Sequence, residues 1–88
     1  MCTMIVENAK VSGSGRGANG WFEVRQANVT YDHPFHAQRE YALNIDFVNE
    51  ELGLDARVAV ELSPESARRL MEAIGAALAR GEEQVGLS

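Results

Sequence analysis

The sequence RVAVELSPESARRLMEAIGAALARG, residues 57–81, decides the fold because it joins a strand pattern directly to a helix pattern. In residues 57–62, apolar and polar or small side chains alternate, which predicts a strand with one buried face. Ser63 then suits a helix N-cap, and Pro64 suits the first helical position. Apolar residues recur beyond it at the spacing of one helical face, and Gly81 is a natural C-terminal residue, so we predict an amphipathic helix. The apolar stripe of this helix is predicted to contain Ala67, Leu70, Met71, Ile74, Ala77 and Leu78.

Three strand patterns precede this segment, at residues 2–11, 21–31 and 40–48. The third alternates most regularly, with one strongly apolar face that we expect to meet the helix. The second changes phase, which predicts a β-bulge near Arg25 and Gln26. Residues 12–20 contain four glycines and an asparagine, which predicts a flexible turn between the first two strands.

The order β-β-β-β-α predicts an α+β domain, a four-stranded antiparallel meander with the helix packed on one face. We predict that residues 1–81 form this single domain and that residues 82–88 are a flexible tail. One helix cannot cover both sides of such a sheet. We therefore expect the helix-free face to be solvated, to bind a partner or ligand, or to pack against a second subunit.

Length and charge restrict the classes of function. Eighty-eight residues make one domain, and 45% hydrophobic with 24% charged residues is typical of a globular protein. The net charge of −5 argues against nucleic acid and against anionic membrane surfaces, since binding to either starts from clustered Lys and Arg. A chain this short buries only about 60% of its unfolded surface, which favours a homodimer.

The single cysteine, Cys2, excludes an internal disulfide and is typical of a reducing compartment. No stretch approaches the roughly 18 apolar residues of a membrane span, and no signal peptide is recognisable. We therefore expect a cytoplasmic protein.

Both histidines of the chain lie in the segment Asp32-His33-Pro34-Phe35-His36. Imidazole is the commonest side-chain ligand of transition metals, and two rings in a turn stiffened by proline can converge on one ion. Asp32 is a candidate third ligand or can orient an imidazole. The leading hypothesis is a metal-binding protein or metalloenzyme for zinc, copper or iron. The alternative is that both rings are simply solvated.

Cys2 is the remaining candidate metal ligand, because removal of the initiator methionine would expose an amine and a thiol on one residue. The same pair can act as an N-terminal nucleophile with its own base, so an N-terminal cysteine enzyme is another hypothesis. The simpler alternative is a small apolar residue of the first strand.

Three residues are candidates for binding a small molecule without catalysis. Asn44 and Asp46 project together from the helix-free face of the third strand, where Ala59 and Glu61 join them if strands three and four pair. Arg16 lies in the glycine-rich segment and can contact an anionic ligand. The alternative hypothesis is therefore a non-catalytic module that binds a small molecule or a protein through the helix-free face.

Five segments together resemble a family of small bacterial proteins known as a domain of unknown function. They are MCTMIVE (1–7), GWF (20–22), DHPFH (32–36), LNIDFVN (43–49) and VAVELSPESAR (58–68). The resemblance covers nearly the whole chain and is most distinctive around Cys2 and His33. It assigns no catalytic residue, and it implies a bacterial, cytoplasmic, stand-alone domain.

Overall fold

The structure, a computed structural model, describes residues 5–32 and 41–86. Four antiparallel strands form one sheet in the order β1-β2-β3-β4, and a single helix follows, so the predicted α+β meander is confirmed. The elements are β1 (Ile5–Gly17), β2 (Gly20–Asp32), β3 (Ala42–Val48), a 3-10 helix (Glu50–Leu52), β4 (Arg57–Leu62) and α1 (Pro64–Val85).

The pairing of β3 with β4 separates the two faces of the sheet. Leu43 pairs with Leu62, Ile45 with Val60 and Phe47 with Val58. Directly opposite residues of an antiparallel pair share a face, so this apolar set lies on one side. Leu43 and Ile45 line a groove together with residues of α1, which identifies the apolar side as the helix side. The polar residues between them face the other way.

The first hairpin is longer than the glycines suggest. Residues 12–17, predicted as part of a flexible turn, belong to β1, and only Ala18 and Asn19 separate its last residue from β2. Gly20 has a φ of 107°, a left-handed conformation that side chains disfavour, and it begins β2 directly after the turn. The prediction of a loop over residues 12–20 is therefore wrong, because Gly15 and Gly17 lie in a strand and give room for close packing.

The register of this hairpin shifts once. Lys10 pairs with Gln26 and Gly13 with Val24, so two residues of β1 oppose Arg25 alone. This is the irregularity predicted near Arg25 and Gln26, with the extra residue on β1 rather than on β2. Val24 and Ala27 lie on either side of this shift and are both buried. In a regular strand, residues three positions apart would point to opposite faces, so the irregularity allows both to be buried.

Alternating glycines bring the outer half of β1 against β4. A Cβ added to Gly15 would lie 2.9 Å from Val24 Cγ2 and 3.5 Å from Val58 Cγ2. One added to Gly17 would lie 3.3 Å from the carbonyl oxygens of both Asp55 and Arg57. The hairpin tip therefore bends over the start of β4, so closely at Gly17 that an added side chain would be tight against the backbone of β4.

The buried core of the described residues is small. Its apolar members are Val24, Ala27, Ala42 and Ala56, and its polar member is Asn49 at 3% exposure. The Asn49 side chain donates to the Glu23 carbonyl oxygen at 2.9 Å and accepts from the Glu51 amide at 3.1 Å. Asn49 thus caps the 3-10 helix and ties it to β2.

The helix begins as predicted and ends later. Ser63 Oγ accepts from the Ser66 amide at 3.1 Å, and Pro64 occupies the first helical position. The helix continues through Gly81 to Val85 and stops at Gly86, which has a φ of 78° and donates to the Glu82 carbonyl oxygen. The predicted end at Gly81 is therefore wrong, because a second glycine five residues later provides the left-handed cap.

The apolar stripe of α1 remains largely exposed. Met71 is 63% exposed, Ile74 52% and Leu78 59%. The place of Met71 on the stripe predicts a core residue. In the single chain this prediction is wrong, because the side chain is exposed. None of the helices in the described ranges is long and apolar enough to cross a membrane.

Candidate functional site

The helix-free face is polar and continuous across the sheet. Asn44 pairs with Glu61 and Asp46 with Ala59, so the predicted grouping of these four residues on one face is confirmed. On the other side of β3, Asn44 pairs with Thr30 and Asp46 with Asn28. Three adjacent strands thus contribute amide, hydroxyl and carboxylate groups to this face.

Asp46 forms an ion pair with Arg57 on the neighbouring strand β4. Its Oδ1 accepts hydrogen bonds from Arg57 Nη2 at 2.9 Å and from Arg57 Nε at 3.2 Å. Both side chains are partly exposed, so the pair contributes little to stability but fixes the carboxylate. Asp46 therefore differs from Asn44 as a candidate ligand-binding residue, because its Oδ1 already accepts hydrogen bonds from the Arg57 guanidinium.

Asn44 and Asp32 each have a buried side-chain oxygen for which the described residues supply no donor. Asn44 Oδ1 and Asp32 Oδ1 are shielded from solvent, and neither accepts a hydrogen bond from residues 5–32 or 41–86. Asp32 pairs with Ala42, two residues before Asn44, so the two side chains are diagonal neighbours on one face. A buried acceptor without a donor costs about 1–3 kcal/mol, so two side by side favour a bound cation or an N–H donor at this position.

The histidines and Cys2 lie outside the described residues, so their part in the predicted metal site remains a prediction. Within residues 5–32 and 41–86, no group of three or more His, Cys, Asp or Glu side chains is arranged to hold a metal ion. Asp32 is the described member of the predicted ligand set. It is the last residue of β2 and immediately precedes His33.

A second candidate site lies beneath the bent hairpin. An open cavity of about 420 Å³ is lined by residues 11–16 of β1 and by Trp21, Val24, Phe47 and Val58. Arg16 also lines it and pairs across the hairpin with Trp21, whose side chain is 71% exposed. A guanidinium beside an exposed aromatic ring can hold a planar anionic molecule.

Comparison with known families assigns the chain. The family model described as "Family of unknown function (DUF6295)" matches residues 1–87. The chain belongs to the DUF6295 family. This membership confirms the resemblance to a family of unknown function. Comparisons of this DUF6295 protein with curated proteins and with solved structures find no match.

Sequence reasoning missed the cavity of this DUF6295 protein for an identifiable reason. Glycines at 13, 15 and 17 recur at every second position, which in a strand leaves one face without side chains. That period of two was the signal of a strand closely approached by another part of the chain. The same residues, counted only as turn formers, predicted a loop instead.

Proposed function

We propose that this DUF6295 protein is a cytoplasmic, bacterial, homodimeric protein that binds a transition metal at the end of β2. Asp32 supplies an oxygen ligand, and His33 and His36 supply imidazole nitrogens. Cys2 is the further candidate donor. Zinc, iron and copper all accept such a mixed set, and the choice among them remains open.

The observation that supports this proposal is the buried Oδ1 of Asp32 beside that of Asn44, since neither oxygen accepts a hydrogen bond from the described part of the chain. Asp32 directly precedes the segment that contains both histidines of the chain, His33 and His36. We therefore expect an ion bound by its carboxylate to be close enough for these imidazoles to coordinate. A rigid strand end also positions a ligand more accurately than a loop does. A bound ion with open coordination positions could act as a Lewis acid or activate water, which leaves both a binding protein and a metalloenzyme open.

The proposal is tested by metal titration of the tag-free protein under reducing conditions. We expect Zn²⁺, Fe²⁺ or Cu²⁺ to bind near one equivalent and to raise the unfolding free energy by about 2.7 kcal/mol at 100 times its dissociation constant. Asp32→Asn and the double variant His33→Ala/His36→Ala should each weaken binding at least about tenfold. Asp55→Asn, the same chemical change at an exposed turn residue, is the matched control.

Two results would contradict the metal proposal. One is the absence of stoichiometric binding of any of these ions by calorimetry and elemental analysis. The other is stabilisation by Ca²⁺ or Mg²⁺ alone, unaffected by the histidine substitutions, since that would indicate an oxygen-only site.

A second candidate function is the binding of a small aromatic anion in the cavity beneath the hairpin. The pairing of Arg16 with Trp21 at an apolar cavity favours it. Titration with 1-naphthoate should quench the fluorescence of Trp21, the single tryptophan of the chain. Arg16→Gln should abolish the effect and Arg69→Gln, on the exposed helix, should preserve it. Equal quenching in all three proteins would eliminate this candidate.

A further inference from the structure

The single chain exposes more surface than a compact protein of its size. Its accessible surface is 7064 Å², whereas a folded monomer of 9.6 kDa is expected to expose about 5,100 Å². Its radius of gyration is 14.9 Å, against about 12 Å for a compact domain of this length. The excess is about 2,000 Å² per chain, well above the roughly 800 Å² that each partner buries in a standard interface.

Much of the exposed apolar surface borders one groove. Between the sheet and α1 lies an open cavity of about 470 Å³, whose sheet side is formed by Val29, Tyr31, Leu43 and Ile45. Its helix side includes Leu70, Met71 and Ile74. Leu78 and Val85 extend the same stripe toward the helix end and are 59% and 70% exposed. Contiguous apolar surface of this kind marks an interaction site.

We infer that this groove and the stripe of α1 form the interface with a second copy of the chain, whose α1 lies antiparallel to the first. Each helix then covers the sheet face and the apolar stripe of the other copy. A two-fold axis is compatible with this arrangement, because each copy contributes the same surface: the groove and the apolar stripe of its own α1. The surface is inferred independently of the metal, although it specifies the homodimer of the proposed function.

The distribution of charge on α1 favours the antiparallel direction. Arg68 and Glu82 are about four turns apart, so they flank the stripe on the same side, roughly 21 Å from each other along the axis. When the midpoint between Ile74 and Leu78 is the crossing point, Ile74 of one copy meets Leu78 of the other. The second copy's Glu82 then lies on the same side of the seam as Arg68, offset by only about 3 Å along the axis. A parallel two-fold arrangement would instead place Arg68 and Glu82 of the two copies roughly 21 Å apart along the axis, and the two Arg68 side chains on opposite sides of the seam.

The first test is the molar mass in solution, measured by light scattering and by sedimentation equilibrium over a dilution series. We expect a dimer at micromolar concentration that dissociates on dilution. A mass of 9.6 kDa at all concentrations would overturn the inference.

Substitution at neighbouring helix positions tests the surface itself. Leu78→Glu should raise the dimer dissociation constant at least about 30-fold, because it introduces a charge at the centre of the interface. Ala76→Glu, on the opposite face of the same turn, should leave the constant unchanged. Leu78 is already exposed in the single chain, so unfolding caused by Leu78→Glu alone would also show that a partner covers it. Equal behaviour of the two variants would overturn the inference.

A charge swap tests the helix direction. Arg68→Glu and Glu82→Arg should each weaken the dimer several-fold, and the double variant should restore it. The two positions are too far apart to interact within one helix, so restoration requires contact between copies. A dimer that is unaffected by these single variants would contradict the antiparallel arrangement. All of these measurements use metal-free protein, so failure of the metal proposal would not affect them.

Discussion

Among single residues, Asn49 has the clearest structural role. It is 3% exposed, and its amide group bridges the Glu23 carbonyl oxygen and the Glu51 backbone amide. Nothing in the sequence separates Asn49 from the other polar residues between β3 and β4. Its partner Glu23 is 26 positions away, and such a contact becomes visible only when the hairpin is folded over the turn.

Replacing Asn49 should therefore destabilise the protein. Asn49→Ala removes two hydrogen bonds and deprives the Glu23 carbonyl oxygen of its side-chain donor, so we expect the free energy of unfolding to fall by about 2–3 kcal/mol. Urea denaturation measures the change. Asn8→Ala, at an exposed position of β1, is the control and should cost less than about 0.5 kcal/mol. Equal effects would show that Asn49 does not connect β2 to the turn.

Gly15 is required by close packing rather than by backbone conformation. A methyl group there would lie 2.9 Å from Val24 Cγ2, so Gly15→Ala should destabilise by about 1–3 kcal/mol through overpacking. At Gly13 no atom lies within 4 Å of an added Cβ, so Gly13→Ala should be neutral or slightly stabilising. Thermal unfolding of the two variants provides the comparison. Similar losses would indicate that β1 does not approach Val24 so closely.

At the scale of elements, local chemistry predicted α1 and β4 well. The bounds of β4 and the start of α1 agree with the structure, because alternation, the Ser63 cap and Pro64 all act within a few residues. The end of α1 was placed too early, since Gly81 and Gly86 are equally good local stop signals. Their difference lies in the backbone, where Gly86 alone of the two has a positive φ.

Alanine substitution distinguishes these two glycines by the sign of its effect. Gly81→Ala should stabilise the helix by about 0.5–1 kcal/mol, because glycine is a poor residue in a helix interior. Gly86→Ala should destabilise it by a comparable amount, because alanine is strained at a φ of 78°. Circular dichroism during thermal unfolding measures both. Destabilisation by Gly81→Ala would support the shorter helix instead.

At the scale of the whole molecule, topology was predictable and the extent of the core was not. Short connections between consecutive strands predict a meander, and the observed strand order β1-β2-β3-β4 confirms it. Whether an apolar stripe is buried within its own chain depends on the angle at which the helix leaves the sheet. No pattern within residues 57–81 specifies that angle. The site was predictable only as far as Asp32 and Asn44, since residue types do not reveal which oxygens lack donors.

The exposed groove also affects stability at this scale. If the second copy covers it, unfolding is coupled to dissociation, and the melting temperature should rise with protein concentration. Differential scanning calorimetry across a wide concentration range measures this dependence. Leu78→Glu should remove the dependence, whereas Ala76→Glu, on the opposite face of the helix, should retain it. A melting temperature that is independent of concentration in the unmodified protein would contradict the coupling.

The bare inner face of β1 has a further consequence for motion. Beyond the register shift, its glycines offer no side chains to anchor the tip, which rests on Val24 and on the backbone at Asp55 and Arg57. Opening this tip therefore exposes little apolar surface and costs less free energy than opening β2 from β3. Backbone amides around Ser14 and Arg16 should exchange their hydrogens with solvent well before those around Ile45, so that the cavity beneath the hairpin becomes accessible without unfolding of the sheet.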